Sequence, residues 1–144
     1  MSDRTIGGGC LCGAIRYEVT QAPVWSHACH CSRCRKITGS AFATNLFVPI
    51  DSLRWLAGKE RLRTFRPPEA ERFTHAFCEC CGSTLPFRNP ARGLAVVPMG
   101  SLDADPGFAP RAHIFTGSKA PWHAITDDLP QHPEALPTSA RPPR

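Results

Sequence analysis

Seven of the eight cysteines fall into three chelating clusters, and this spacing restricts the fold more than any other feature of the chain. Cys10 and Cys12 form a C-x-C pair, Cys29, Cys31 and Cys34 a C-x-C-x-x-C triple, and Cys78 and Cys81 a C-x-x-C pair. Each spacing puts two sulfurs within reach of a single ion, and a structural zinc takes four. The outer pairs, Cys10, Cys12, Cys78 and Cys81, complete a soft four-sulfur set that favours zinc over harder-ligand metals and ties the two ends of the domain together. The triple supplies three sulfurs, which reads as a second zinc with one exchangeable position. The alternatives are that Cys80, His27 or His30 closes the triple, or that the thiols serve redox chemistry. His30 sits between two ligand cysteines and is expected to point away from their metal, which leaves His27 as the better-placed histidine.

The rest of the composition fits one small, metal-stapled β domain. A chain of 144 residues is one domain by size. Fifteen prolines and eleven glycines argue for short strands and turns over long helices. No apolar run approaches the ~20 residues of a membrane span. Residues 1–9 have no apolar signal core, so the expected location is cytoplasmic, where cysteines serve as ligands or catalytic groups rather than disulfides.

The formal net charge is +5, and it is unevenly placed. Residues 33–66 hold eight basic and two acidic side chains. Much of this positive charge balances the thiolates and attracts a small anionic ligand. Arg33, Arg35 and Lys36 are the expected partners for carboxylates on such a ligand.

Alternating polarity predicts strands at 14–19, 24–28, 41–48, 72–77, 83–87, 94–99 and 111–116, with a hairpin of 53–56 and 61–65 around Gly58. That strand pattern turns Trp55 and Phe65 inward. Residues 31–38 have room for one helical turn. Gly7, Gly8 and Gly9 are expected to let backbone amides reach the zinc sulfurs. Residues 1–130 form the zinc-binding domain, and 131–144, with five prolines from position 130 onward, a tail without fixed structure.

A three-thiolate zinc site carries a net charge of −1, which makes it a weak Lewis acid toward neutral carbonyls and a good acceptor for an incoming thiol. Coordination deprotonates that thiol outright. The implied chemistry is thiol activation, in which a bound thiolate attacks a small electrophile.

The set C-x-C-G, C-H-C-x-x-C-R-K, G-S-A-F and C-x-x-C-G, in this order, resembles the glutathione-dependent formaldehyde-activating enzyme family, to which the centromere protein V domain also belongs. The stretches 117–122 and 127–130 are similar to that family's ending. The resemblance implies an Mss4-like, mainly β fold of small antiparallel sheets with two zinc ions. Carried over, Cys10, Cys12, Cys78 and Cys81 are structural zinc ligands, and Cys29, Cys31 and Cys34 catalytic ones. The implied reaction is that of a carbon–sulfur lyase joining glutathione and formaldehyde as S-hydroxymethylglutathione. The expected partners are therefore a glutathione-like thiol and a small aldehyde, without membrane. The alternative is a zinc-stabilised binding module for nucleic acid or protein, using the basic segment as its contact surface.

Overall fold

The computed structural model describes residues 4–141; residues 1–3 of the N-terminal segment and 142–144 of the expected tail lie outside the described residues. The described chain is mainly β. In order it forms β1 (Ile6–Gly9), β2 (Arg16–Val19), β3 (Trp25–Cys29), the helix α1 (Ser32–Thr38), β4 (Ala43–Pro49), β5 (Leu53–Ala57), β6 (Leu62–Phe65), β7 (His75–Cys78), β8 (Thr84–Leu85), β9 (Phe87–Asn89), β10 (Leu94–Pro98) and β11 (His113–Ile114). Three small sheets result, in the orders β1-β2-β5, β11-β3-β4-β10-β9 and β6-β7-β8. All pairings are antiparallel except β11 with β3. No helix among the described residues is long and apolar enough to cross a membrane.

The five-stranded sheet does most to place the site. Successive side chains of a strand point to opposite faces. Leu46 and Val48 of β4 and Ala95 and Val97 of β10 pack into the main core with Ile15, Tyr17, Val19 and Leu53. The intervening positions Trp25, His27 and Cys29 of β3, Ala43, Asn45 and Phe47 of β4, and Val96 of β10 line a large cavity on the other face. One face of this sheet therefore holds the domain together, and the other is free to carry chemistry.

The 53–65 hairpin does not form. β5 pairs with β2 and β6 with β7, so the chain leaves one sheet and enters another between them. Gly58 makes this exit possible. Its φ is +74°, and a Cβ there would overlap the carbonyl oxygen of Ala14 and lie 2.8 Å from its carbon. A left-handed non-glycine residue costs about 1–3 kcal/mol, and forced overpacking a similar amount. Gly58→Ala is expected to lower stability by about 2–5 kcal/mol, read as a lower urea midpoint at unchanged slope. A loss below about 1 kcal/mol would show that the crossing has slack.

Other departures have equally local causes. Gly7–Gly9 are in a strand rather than a sulfur-binding turn, because the Tyr17 ring lies across Gly8 and excludes a side chain there. Pro86, which has no N–H, separates β8 from β9 where one strand was expected. Trp55 is half-buried edge-on to Tyr17, with ring centroids 6.0 Å apart, but Phe65 is 53 % exposed, because β6 is the outer strand of its sheet. The helix α1 runs seven residues, about two turns instead of one. The Cys31 sulfur accepts from the Cys34 amide at 3.3 Å at its start, and Gly39, at φ 63°, closes its end with an N–H to the Arg35 carbonyl.

The C-terminal segment is the largest correction. Residues 130–136 are not a free tail. His113 N–H donates to the Pro130 carbonyl and Phe115 N–H to that of Glu134, while His132 N–H donates back to His113, each at 2.9 Å. Leu136 is buried in a second apolar cluster with Cys29, Cys34, Ala112 and Ile114. Proline removes a donor but keeps its carbonyl, so a proline-rich strand can still be lashed along one edge.

Candidate functional site

The four outer cysteines come together on two turns. Cys10 and Cys12 follow β1, Cys78 ends β7, and Cys81 lies in the turn before β8. The Cys10 and Cys12 sulfurs are 3.6 Å apart, and those of Cys12 and Cys78 3.8 Å. Zn–S bonds of ~2.3 Å at a tetrahedral angle place sulfurs about 3.8 Å apart, so this donor set fits zinc. Amide and hydroxyl donors face the sulfurs, though not from the glycines. Ile15 N–H reaches Cys10 at 3.2 Å and Cys80 N–H reaches Cys78 at 3.4 Å, while the Ser83 hydroxyl is 3.2 Å from Cys81. That hydroxyl, with the Ser83 amide, holds the Cys81 thiol down to about 5. Cys80 is exposed beside Arg61, whose guanidinium is 3.3 Å from its sulfur, and stands outside the set.

Cys29, Cys31 and Cys34 converge at the end of β3 and the start of α1, with all three sulfurs within 4.8 Å of one another. Among the described residues, no fourth His, Cys, Asp or Glu joins them within that limit. Hydrogen bonds from Cys29 and Cys34, then from the Cys34 and Arg33 amides, hold the Cys31 thiol far below its usual range. Cys29 and Cys31 in turn push the Cys34 thiol up. Three sulfurs ready to share charge at this spacing can hold a thiophilic ion.

The two histidines weighed as further ligands turn elsewhere. His27 shares the cavity face with Cys29, but its Nδ1 accepts from Trp25 Nε1–H at 2.9 Å. Burial, then the charge of Arg92, push it down to about 4. His30 is fully buried on the opposite face of β3. There the Asp127 carboxylate accepts from His113 Nε2–H at 3.0 Å. His113 Nδ1, 2.8 Å from His30 Nε2, is then the acceptor and His30 the donor. This leaves His30 Nδ1 as a buried lone pair without a partner among the described residues, which costs less than a buried unpaired N–H. The chain Asp127–His113–His30 thus anchors the turn between Cys29 and Cys31 to β11. Sequence spacing did not reveal it, because its members are far apart in the chain.

The cavity over the triple has a volume of about 1200 Å³. Trp25, Phe47, Phe73 and Leu136 give it apolar walls, and Arg33 stands at the triple itself. Of the three basic residues expected to receive carboxylates, only Arg33 lines this cavity; it is 3.7 Å from Glu69 and lies over the Phe73 ring. Arg35 donates instead to the Ser118 carbonyl at 3.1 Å.

Residues 5–118 match the model of the family described as glutathione-dependent formaldehyde-activating enzyme. The chain belongs to that family. Membership brings a formaldehyde-activating, glutathione-related function at family level, and the matched span contains both cysteine sets. A Rhodobacter sphaeroides protein of known crystal structure is similar, with a TM-score of 0.51 and 26 % identity over 73 % of this chain and 92 % of that one. Asp127, Leu136 and Arg141 lie beyond the family match, yet the first anchors His113 and the other two line the cavity.

Proposed function

We propose that the protein is a zinc-dependent thiol-activating enzyme that adds glutathione, or a closely similar thiol, to formaldehyde or a related small aldehyde, as an S-hydroxymethylglutathione synthase of the carbon–sulfur lyase type. The observation that carries this reading is the contrast between the two cysteine sets. One has four sulfurs, two of them, Cys10 and Cys78, buried in the main core, and only Cys10 reaches the cavity; the other has three, all lining a cavity far larger than an aldehyde needs.

Cys10, Cys12, Cys78 and Cys81 would hold a structural zinc, and Cys29, Cys31 and Cys34 a second one. When bound there, zinc supplies a position at which a substrate thiol is held as thiolate at neutral pH. The chain's own residues do the rest. The His30 anchor and the α1 cap hold the three sulfurs in place, and Arg33 offsets negative charge beside them. Trp25, Phe47 and Phe73 exclude water from the place where carbon and sulfur join.

Cobalt substitution tests the reading. Adding glutathione to the cobalt-loaded protein is expected to shift the thiolate–cobalt absorption bands, and formaldehyde added afterwards to yield S-hydroxymethylglutathione detectable by NMR. Bands that no thiol moves would mean that the second ion is closed and structural.

A further inference from the structure

Beside the main cavity is a recess of about 660 Å³, walled by five arginines, Arg66, Arg72, Arg88, Arg92 and Arg141, and one carboxylate, Glu71. Arg72, Arg92 and Arg141 line both spaces, so the recess continues directly from the cavity above the three cysteines. Arg66 and Arg141 donate to the main-chain carbonyls of Ala70 and Leu136, at 3.3 and 3.0 Å, and Arg88 to that of Leu53. Such bonds orient a guanidinium without neutralising it. Among the described residues, Arg66, Arg72, Arg88 and Arg141 have no carboxylate ion-pair partner. By contrast Arg33, beside the triple, already faces Glu69, and Arg35 is turned to Ser118.

We propose that this arginine recess is the carboxylate subsite of the thiol substrate, with Arg72 and Arg141 as its contacts. The inference rests on the thiol-activation reading and adds where the acidic end of that thiol is held and which residues select for it. The sulfur is directed to the three cysteines and the anionic end into the recess. A guanidinium fork is matched to a carboxylate in shape as well as charge, which favours acidic thiols over neutral ones. Arg141 brings one wall from the C-terminal segment, so that segment takes part in substrate selection.

The test uses the cobalt-loaded full chain titrated with glutathione and with 2-mercaptoethanol, and calorimetry of S-methylglutathione and its dimethyl ester, whose capped sulfur isolates the carboxylate contribution. Arg72→Gln and Arg141→Gln each remove one charge-assisted hydrogen-bond donor, and each is expected to weaken glutathione and S-methylglutathione binding by about 10- to 100-fold. The midpoint for 2-mercaptoethanol is expected to stay where it is. Arg141→Lys, which keeps the charge and the C-terminal packing but not the fork, should recover part of the affinity, and Arg72, exposed and without a structural bond, serves as the control for misfolding. Unchanged glutathione binding in both glutamine variants, or a dimethyl ester that binds as tightly as the diacid, would overturn the subsite alone. Bands that respond to neither thiol would overturn the thiol reading and the subsite with it.

Discussion

Cys78→Ser is expected to empty the four-cysteine set and unfold the protein. Cys78 is fully buried in the main core, and its sulfur is 3.8 Å from that of Cys12, which lies on the opposite strand connection. The substitution removes a thiolate ligand and leaves a hydroxyl in an apolar setting. Structural zinc contributes on the order of 10 kcal/mol or more of apparent folding free energy. That is as large as the whole stability of an ordinary domain, about 5–15 kcal/mol. Apart from the sulfurs, the β1–β2 turn meets the β7–β8 turn through a hydrogen bond from Leu11 N–H to the Ser83 hydroxyl at 3.0 Å. Such a bond contributes only about 1 kcal/mol. The checks are metal analysis, which should show the loss of zinc from this set, and circular dichroism, which should show no cooperative melt. A variant that melts like the wild type would mean that the sheets stand without the staple.

Cys31→Ser has the opposite profile: the fold survives and the activity goes. Cys31 is both a member of the triple and the N-cap of α1, where its sulfur accepts from the Cys34 amide. Serine is among the best N-caps, so the helix start is preserved or improved. As a metal ligand, a serine hydroxyl, protonated at neutral pH, is a poor replacement for one of only three sulfurs in the triple. Changes to groups that merely support a ligand already cost about 10–100-fold in metal affinity or activity. Removing the ligand itself is expected to cost at least about a hundredfold in thiol addition, with the melting temperature within about 5 °C of wild type. Equal destabilisation of Cys31→Ser and Cys78→Ser would refute the division of labour between the two sets.

These two expectations place the sites on different structural footings. The outer set brings together the β1–β2 and β7–β8 turns, and its loss is expected to show in folding. The triple stands at a strand end and a helix cap, on the face of the five-stranded sheet that the main core does not use. A site placed there can change its ligand chemistry at little cost to stability.

The two cysteine sets that could hold a metal were legible from spacing alone, because C-x-C and C-x-x-C bring sulfurs together locally whatever surrounds them. The seven cysteines that spacing singled out are those the fold brings together, and the small-sheet architecture follows from the same frequent turns and short alternating runs. Strand partners were less legible. Residues 53–65 have the pattern of a hairpin, and only the close approach of Gly58 to Ala14 shows why the chain crosses between sheets instead.

What tertiary structure alone decided lies between residues distant in sequence. The buried line from Asp127 through His113 to His30, the packing of Leu136 against Cys29 and Cys34, and the meeting of Arg72, Arg92 and Arg141 at one cavity have no local pattern to announce them. Proline content marked residues 131–144 as a tail, since prolines cannot donate to a ladder. Their carbonyls accept all the same: Pro130 takes the His113 N–H of β11, and Pro133 that of Gly117 just beyond it. Local spacing chose the cysteines that could hold a metal, while long-range packing chose what surrounds them, because chelation needs mainly neighbours in the chain and a binding cavity needs walls from all over it.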